Sequence, residues 1–570
     1  MHVIATAGHV DHGKSTLVKA LTGTDPDRFA EEKARGLTID LGFAATSLPS
    51  GRGVSIIDVP GHVRFLKNML AGVGAVDASL FVVAATEGWK PQSEEHLRIL
   101  ELLGAKHGII ALTKVGIADD DLIELARLDV AEHVEGTFLE DAEVIGVDAL
   151  AGIGVTDLQE GLDRLLEETP QAADSAKPRM WIDRAFAAKG AGTVVTGTLT
   201  GGRIRVEDEL LLEPGGRTVR VRGLQSQYAG RTKVGPGNRL AINLTGVGHD
   251  EVGRGHVVVR EDQWHLTQVV DASLTVLDAV DHKVSRRGAH LLYVGSGEHP
   301  VRMRILGPDA LMAGQTGSVR MFLPVPLPLV PGDRFVLREA GRGETIGGGE
   351  ILDLAPVLPA SKAQPDRSVE RVVQERGWVD VEHLKLLTGE TMEPNVGTWV
   401  VSAEALETKL SELRAMIDAA GPLGLDTAVL DDESKAAAAL LDGFAVEAGR
   451  LRAADAASPT ADHPFVDELR ANLLAPPDAG HIDRGELREL MREGVVFSTE
   501  GVYFAAEAVD AAVAVVKQLL AASDGFTVSD FRSAAGITRK HALPLLNHLD
   551  NNAMTRRRDD LRIAGPRLPD

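Results

Sequence analysis

The sequence predicts a multidomain protein with an α/β domain, two antiparallel β-barrels and a C-terminal group of small α+β modules. Up to about residue 170, short apolar runs rich in β-branched residues alternate with amphipathic stretches, which indicates a parallel sheet covered on both faces. From 179 to about 356, short alternating strands are separated by Gly, Pro and Asp, a pattern typical of antiparallel barrels. From about 360 the chain is Ala-rich and helical with brief strand-like pieces, which fits helix-plus-hairpin modules.

The individual elements follow from the same patterns. In the first domain the predicted strands are 2–8, 53–60, 78–85, 107–113 and 142–148, and the predicted helices include 92–105 and 157–169. A short polar segment ending in Pro, 171–178, marks a domain boundary. The predicted barrel strands are 193–199, 219–224, 239–246, 272–277, 290–295, 301–306 and 334–339. A long helix over 402–421 and a strand-like stretch over 494–505 are predicted in the C-terminal region.

Composition excludes several classes of protein. With 44% hydrophobic and 25% charged residues, the chain has both a packed core and a polar surface, so it is neither disordered nor fibrous. A formal charge of −23 argues against non-specific coating of nucleic acid, although local basic patches remain compatible with it. The absence of cysteine excludes disulfides and thiolate chemistry. With no signal peptide and no apolar run of about 18 residues, a cytoplasmic protein without a membrane partner is expected.

The N-terminal segment carries a phosphate-binding motif. Residues 8–15 match G-x-x-x-x-G-K-[ST] between a predicted strand and a predicted helix, which is the context this motif requires. Backbone N–H groups of such a loop turn toward phosphate oxygens, and the helix start adds partial positive charge. We expect Lys14 to reach the β- and γ-phosphates and Ser15 to bind Mg²⁺. The predicted nucleotide-binding residues of this loop are Gly8, His9, Val10, Asp11, His12, Gly13, Lys14, Ser15 and Thr16.

Two further segments extend this site. Asp58 ends an apolar strand, where a carboxylate holds Mg²⁺ through water, and Gly61 can offer its N–H to a γ-phosphate. His62 then stands where a side chain can orient the attacking water, so His62 and Lys14 are the predicted catalytic residues. The hydroxyl of Thr38 can complete the Mg²⁺ coordination when the γ-phosphate is present. The predicted metal ligands are Ser15, Thr38 and Asp58.

These motifs resemble a known family. GHVDHGKS, RGLTID and DVPGH, in this order, resemble the translational GTPases of the elongation factor Tu superfamily. The segments RGLTIDLGFA, 181–199 and 237–244 resemble the selenocysteine-specific elongation factors, and 527–550 is similar to the last winged-helix module of that family. The resemblance implies a P-loop GTPase domain, two β-barrels and C-terminal winged-helix modules. The implied domains are the GTPase domain over 1–172, the barrels over 178–261 and 264–356, and the winged-helix modules over 360–463 and 464–570.

The resemblance also implies a function. It predicts a monomeric, GTP- and Mg²⁺-dependent carrier that delivers selenocysteinyl-tRNA to the ribosome at UGA codons by binding an mRNA hairpin. It places Asp183, Arg184 and Arg239 in the aminoacyl pocket, where guanidinium groups would hold an ionised selenol and discriminate against a seryl hydroxyl. Residues 525–570 contain eight basic and five acidic side chains, so this end is positive in an acidic chain. The predicted RNA-binding residues are Arg539, Lys540, Arg556, Arg557 and Arg558.

Two departures from the family pattern concern the guanine base. The motif N/T-K-x-D is present as Thr113, Lys114, Val115 and Gly116, without its carboxylate, and a following Ser-Ala-Leu element begins with Asp, as Asp148, Ala149 and Leu150. All of these except Val115 and Gly116 are predicted to bind the nucleotide. Either the base site is loosened, or another acid, Asp148 or Asp119, replaces the missing one. A partly loosened site is expected, in which Gly116→Asp would tighten GTP about tenfold.

Two alternative functions remain open on the sequence. A general aminoacyl-tRNA carrier of the Tu type would share the first three domains but would not explain the residues beyond about 360. A nucleotide-bound RNA-binding regulator that does not cycle is suggested by the missing carboxylate at Gly116.

Overall fold

A computed structural model describes residues 1–26, 38–62, 65–74, 76–190, 192–420, 424–447, 449–454 and 463–569. The chain divides into two compact units, Met1–Pro394 and Asn395–Asp570. Residues 27–37, which include the first three residues of RGLTID, lie outside the described residues.

The first domain contains a six-stranded sheet in the described part of the chain. Its strands are His2–Ala7 (β1), Gly42–Ser47 (β2), Gly53–Asp58 (β3), Ala78–Ala84 (β4), Gly108–Thr113 (β5) and Val144–Val147 (β6). The spatial order is β2-β3-β1-β4-β5-β6, and all neighbours are parallel except β2 and β3. The predicted parallel sheet therefore has an antiparallel edge strand. Only residues 48–52 join β2 to β3, and a parallel crossover needs about a dozen residues.

Helices cover both faces of this sheet. They are Lys14–Thr22 (α1), Leu66–Val73 (α2), Pro91–Leu102 (α3), Asp120–Val134 (α4) and Val155–Glu168 (α5). One apolar cluster joins the sheet to α2, α3 and α4, and the other joins it to α1 and α5. Complete burial of a Leu or Ile side chain stabilises a fold by about 1.5–3 kcal/mol, so the two clusters fix the sheet between its helices. The first cluster also includes Tyr293 and Val336 from the second barrel.

The first barrel follows the polar segment 171–178. Its strands are Arg179–Ala188 (β7), Gly192–Thr200 (β8), Ile204–Arg205 (β9), Glu209–Glu213 (β10), Arg217–Ser226 (β11), Ala229–Arg231 (β12), Lys233–Val234 (β13), Asn238–Thr245 (β14) and Val257–Val259 (β15). The order β10-β15-β7-β8-β14-β11 closes into a ring because β11 also pairs with β10. Alternate residues of these strands fill the interior with Val, Ile and Leu.

The second barrel is built in the same way. Its strands are Leu266–Val276 (β16), Val284–Ser285 (β17), His290–Val294 (β18), Gly297–Ile305 (β19), Ala310–Leu311 (β20), Thr316–Pro328 (β21), Arg334–Glu339 (β22) and Glu344–Asp353 (β23). The ring is β16-β21-β19-β18-β22-β23 and closes through β16. Two helices with a strand between them complete this unit: Val369–Arg376 (α6), Trp378–Asp380 (β24) and Val381–Thr388 (α7).

The second unit alternates helices with antiparallel hairpins. Its first part contains Trp399–Val401 (β25), Ala403–Ala420 (α8), Leu425–Asp426 (β26), Asp432–Ala438 (α9), Phe444–Glu447 (β27) and Arg450–Ala453 (β28). Its middle part contains Pro464–Ala471 (α10), Arg484–Arg492 (α11), Val496–Thr499 (β29) and Val502–Ala505 (β30). Its last part contains Ala508–Ala522 (α12), Val528–Ala535 (α13), Arg539–Asn551 (α14), Thr555–Arg558 (β31) and Leu561–Ala564 (β32).

Three helices followed by a hairpin give the last part the architecture of a winged helix. Its apolar cluster contains Phe526, Phe531 and Leu545, all almost completely buried. The middle part has its own cluster around Phe465, and Leu473 packs against both clusters. No helix in the described ranges is both long enough and apolar enough to span a membrane.

Candidate functional site

The loop after β1 folds tightly around the side chain of Lys14. The Lys14 ammonium is buried and donates hydrogen bonds to the carbonyl oxygens of Gly8 and His9, at 3.0 and 2.7 Å. Burial lowers the pKa of Lys14 to about 8, and the carboxylates of Asp58 and Asp11 oppose this shift. Gly13, with φ of 85°, precedes the first residue of α1. The ammonium therefore lies at the helix start, inside the loop that the motif predicts to hold phosphates.

Helix α3 holds the other side of this loop. The N–H of Gly8 donates to Nδ1 of His96 at 3.1 Å, and the N–H of Val10 donates to Oε1 of Gln92 at 3.1 Å. Burial lowers the pKa of His96 to about 3, so its ring is neutral at pH 7 and Nδ1 acts as the acceptor. No motif indicates either side chain, because His96 and Gln92 lie 88 and 82 residues from their partners in the loop and belong to an ordinary helical pattern.

The remaining loop residues differ in exposure. His12 is buried, with Nδ1 3.4 Å from the carbonyl oxygen of Val82, and burial lowers its pKa to about 4. Its ring makes an edge contact with the ring of His9, at 5.1 Å between centroids. Asp11, with φ of 63°, and Thr16 are exposed. His9 and His12 thus contribute to the packing of the loop.

The three predicted metal ligands lie together. The hydroxyl of Ser15 donates to Oδ2 of Asp58 at 2.5 Å, and the hydroxyl oxygens of Ser15 and Thr38 are 2.7 Å apart. Asp58 is buried, and its Oδ1 accepts a hydrogen bond from Thr6 at 2.9 Å. Two hydroxyls and one carboxylate are the oxygen donors that Mg²⁺ takes beside a phosphate, so this donor set fits the ion. Thr6 orients the carboxylate, and no motif in the sequence indicated it.

Gly61 makes a close approach to the phosphate-binding loop. A Cβ at this position would lie 2.4 Å from Nζ of Lys14 and 2.7 Å from the nitrogen of Val10, so a larger residue would displace the loop. His62 follows it directly and is half-buried, with its ring centroid 6.0 Å from that of Phe65. Of the two predicted catalytic residues, His62 therefore directly follows a glycine whose backbone lies against the side chain of Lys14.

The predicted base-binding loops lie at the ends of β5 and β6. Thr113 donates to the carbonyl oxygen of His12 at 2.6 Å, which ties the first loop to the phosphate loop. Lys114 has φ of 62° and donates to Glu87 at 2.8 Å. In the second loop, Asp148 is buried, Ala149 is half-buried and Leu150 is 89% exposed. All five predicted residues thus lie at or just after the ends of two paired strands, and Thr113 contacts the phosphate loop.

A separate pocket lies between the sheet and the first barrel. Arg239 makes a bidentate ion pair with Asp183, at 2.6 and 2.9 Å, and its guanidinium carbon lies 3.4 Å from the centroid of the Phe43 ring. Arg184 also faces this ring, at 5.1 Å. The two arginines line the pocket with Phe43 and Tyr228, whereas the carboxylate of Asp183 lies behind Arg239. Asp183 therefore positions Arg239. The ring of Phe43, which is not among the predicted site residues, forms the apolar wall of the pocket.

Arg254 connects this pocket to the segments around the nucleotide. Its guanidinium donates to Oδ1 of Asp40 at 2.6 Å, to Asn68 in α2 at 2.5 Å, and to the carbonyl oxygen of Asp183 at 3.1 Å. Burial acts to raise the pKa of Asp40, but the charge and hydrogen bond of Arg254 hold it below its usual value. Arg184 donates to the carbonyl oxygen of Leu41 at 2.8 Å and to Asp40 at 3.4 Å. No motif in the sequence indicated Arg254, which lies in the loop between β14 and β15.

The predicted RNA-binding residues lie in the last part of the second unit. Arg539 and Lys540 are the first two residues of α14 and are exposed. Arg556, Arg557 and Arg558 are exposed on β31. Arg557 donates to Asn547 of α14 at 3.0 Å, which is eight residues, or about 12 Å of helix, beyond Arg539. The two groups therefore lie on connected elements of one module without direct contact in the described hydrogen bonds.

Comparison with known proteins agrees with this arrangement. Residues 1–168 match the family model described as Elongation factor Tu GTP binding domain, and residues 518–564 match Elongation factor SelB, winged helix. A selenocysteine-specific elongation factor from Desulfomicrobium baculatum is 31% identical over 98% of this chain and 99% of its own length. That of Escherichia coli K12 is 36% identical over 68% of this chain and 64% of its own. A crystal structure of a bacterial selenocysteine-specific elongation factor superimposes with a TM-score of 0.77 at 26% identity over 99% of both chains.

A GTP-binding domain of the Tu type, followed by two closed antiparallel barrels, defines a translational GTPase. The full-length similarity to the D. baculatum protein then specifies the family. This chain belongs to the selenocysteine-specific elongation factors. The predicted fold of P-loop GTPase domain, two barrels and C-terminal winged helix is confirmed, as is the prediction of a GTP-binding, GTP-hydrolysing translation factor.

Proposed function

We propose that this protein carries selenocysteinyl-tRNA to the ribosome at UGA codons by binding an mRNA hairpin, and that it acts as a monomer. The pocket formed by Arg184, Arg239 and Phe43 is the observation on which the proposal depends. Two guanidinium groups beside an aromatic wall suit a large, polarisable anion such as a selenolate. The D. baculatum relative and the bacterial crystal structure, each covered to 99% of its own length, are named as selenocysteine-specific factors, which supports this choice of cargo.

The charge of the pocket supports selenocysteine over serine. The described ion pairs join three guanidinium groups, of Arg184, Arg239 and Arg254, to two carboxylates, of Asp40 and Asp183. The guanidinium groups of Arg184 and Arg239 line the pocket, and they attract an anionic side chain more strongly than a neutral hydroxyl. Asp183 compensates the charge of Arg239, so discrimination rests on the charge-assisted hydrogen bonds that a guanidinium group forms with an anion and not with a neutral hydroxyl.

GTP hydrolysis follows from the nucleotide site. Mg²⁺ held by Ser15, Thr38 and, through water, Asp58 would supply charge neutralisation at the β- and γ-phosphates. The ammonium of Lys14, buried at the helix start, adds positive charge where the transition state develops negative charge. Gly61 allows the backbone to close over Lys14, and His62, the next residue, would orient the attacking water beside the terminal phosphate.

Protection of the aminoacyl ester is the direct test of the cargo. The GTP form is incubated with selenocysteinyl-tRNA or seryl-tRNA, and deacylation of each is followed with time. Selective protection of selenocysteinyl-tRNA is expected. Arg239→Ala should reduce this protection about tenfold or more, because it removes one guanidinium and leaves Asp183 buried without its partner. Arg222→Ala, an exposed arginine of the same barrel, is the matched control. Equal protection of both tRNAs would instead indicate a general aminoacyl-tRNA carrier.

Arg254 is expected to couple the nucleotide state to this pocket. Arg254→Ala removes charge-assisted bonds that are partly exposed, and a loss of about 1–2 kcal/mol corresponds to a five- to thirtyfold weaker binding of tRNA by the GTP form. Binding of GTP itself should stay within about twofold, because Arg254 contacts no predicted nucleotide-binding residue in the described hydrogen bonds. Arg260→Ala, which breaks a single ion pair with Asp208 on the same barrel, should change neither. Unchanged tRNA binding in Arg254→Ala would exclude the coupling.

The C-terminal part of the proposal concerns RNA. We propose that 360–463 and 464–570 act as winged-helix modules beyond a GTPase domain at 1–172 and barrels at 178–261 and 264–356. Exposed basic side chains at the start of α14 and on β31 support this proposal, because both elements could contact the phosphates of an RNA. These basic residues are the feature that a general carrier of the Tu type would not need.

A further inference from the structure

The carboxylate missing from the first base-binding loop has a counterpart in the second loop. Gly116 lies in the short 3₁₀ turn Val115–Ile117, and a Cβ built on it would be 2.5 Å from Oδ2 of Asp148 and 3.1 Å from its carboxylate carbon. The acidic group of Asp148 therefore occupies the space that the side chain of residue 116 would enter. A glycine at 116 and an acid at 148 fit each other sterically.

We propose that Asp148 is the guanine-reading carboxylate of this protein, which it supplies from the β6 loop in place of the acid absent at position 116. The inference rests on the proposed nucleotide site and specifies how that site selects its base. A carboxylate accepts hydrogen bonds from both the ring N–H and the exocyclic amine of guanine, and adenine offers no matching pair of donors. Asp148 provides this acceptor group next to the position from which the family motif provides its own.

The environment of Asp148 holds the carboxylate in a defined position. Its Oδ1 accepts hydrogen bonds from the N–H groups of Leu150 and Ala151, at 3.0 and 2.9 Å, and the residue is only 8% exposed. Its Oδ2 is the atom nearest the added Cβ of Gly116. One oxygen is thus fixed by the backbone of its own loop, and the other is directed toward the first base-binding loop, which is the orientation that recognition of a base between the loops requires.

Asp119, the other acid near this loop, has a different role. It is the N-cap of α4, and its Oδ1 accepts a hydrogen bond from the N–H of Leu122 at 2.9 Å. The residue is exposed. Its side chain therefore accepts a hydrogen bond from a free N–H group at the start of the helix, as Asp commonly does at an N-cap. Asp119 is thus a matched control for Asp148.

The same geometry reverses the expected effect of Gly116→Asp. A side chain at 116 would strike the carboxylate of Asp148, and two like charges would share one site. We therefore expect Gly116→Asp to weaken GTP binding about tenfold or more. The double variant Gly116→Asp, Asp148→Ser transfers the acid to the first loop and should restore the binding of GTP.

A change of base preference tests the proposal. Xanthine carries a carbonyl where guanine carries its exocyclic amine, and the amide of an Asn can donate to this oxygen while it still accepts from the ring N–H. In the full-length protein, Asp148→Asn should weaken GTP ten- to several-hundredfold and strengthen XTP by a similar factor. Asp119→Asn should leave both affinities unchanged. Affinities for GTP, XTP, ITP and ATP are measured by displacement of a fluorescent GDP analogue.

The outcomes separate this inference from the proposed function. An unchanged ratio of GTP to XTP affinity in Asp148→Asn would overturn the assignment of Asp148 as the guanine-reading carboxylate. The proposed nucleotide site would still stand in that case, provided that the wild-type protein binds GTP. A wild-type protein that bound no GTP would overturn the nucleotide site itself. If Asp148→Asn binds no nucleotide because it fails to fold, the double variant decides. Restored preference for GTP over ITP supports the carboxylate exchange, and failure to restore it rejects the exchange.

Discussion

Deletion of residues 464–570 is expected to abolish binding of the mRNA hairpin while binding of GTP and tRNA is retained. The apolar clusters of the middle and last parts of the second unit draw all their described members from residue 465 onward, so the deletion removes whole cores and leaves no partial one behind. The nucleotide residues and the pocket around Arg239 lie in the first unit. Gel-shift or fluorescence anisotropy with the hairpin, beside nucleotide titration, measures both properties. A truncated protein that still bound the hairpin would contradict the RNA assignment.

A single substitution refines this test. Arg539→Ala should weaken hairpin binding by about 1–3 kcal/mol if the guanidinium contacts a loop base, because Arg539 is exposed at the first position of α14. Arg414→Ala, an exposed arginine of α8, is a control with the same loss of charge elsewhere in the unit. Equal small effects of the two substitutions would indicate that net charge alone, and not this helix start, determines the affinity.

His62→Ala is expected to lower ribosome-stimulated GTP hydrolysis by about 10²-fold or more while GTP binding stays near normal. The ring would contact the attacking water and not the nucleotide, and a positioned group of this kind contributes rate in the transition state. Single-turnover hydrolysis with and without ribosomes measures the effect. His249→Ala, an exposed histidine of the first barrel, controls for loss of an imidazole. Unchanged stimulated turnover in His62→Ala would remove this residue from the mechanism.

Local patterns in the sequence determined most of the first domain. The phosphate-binding loop, the strand before it and the helix after it lie where the motif predicts them, and Lys14 is buried inside the loop. Contacts between distant motifs were also anticipated, because Ser15, Thr38 and Asp58 do meet. Strand ends at one edge of a parallel sheet bring such residues together whenever the order of the motifs is preserved. The barrels were predictable for a similar reason, since alternating residues and regular turns specify antiparallel strands.

Tertiary structure decided what no local pattern encodes. The edge strand β2 is antiparallel because its connection to β3 is short. The N–H of Gly8, in the phosphate loop, donates a hydrogen bond to His96 of helix α3. In the pocket, the ring of Phe43 and the carboxylate of Asp183 determine what Arg239 can do. Side chains of this kind are ordinary in sequence, because each is an isolated residue in a common pattern. Their roles depend on the packing of separate elements against each other.

The base site separates what the sequence determines from what only the folded structure determines. The sequence by itself established that Gly116 lacks the expected carboxylate and that Asp148 carries an unexpected one. It left open whether the two changes were related, since 32 positions separate them along the chain. Parallel pairing of β5 with β6 places both strand ends at one edge of the sheet. A Cβ at position 116 would lie 2.5 Å from Oδ2 of Asp148, so the residues at 116 and 148 depend on each other sterically. Volume exclusion acts between atoms in space, so only the folded structure revealed that the side chain of Asp148 fills the space that Gly116 leaves open.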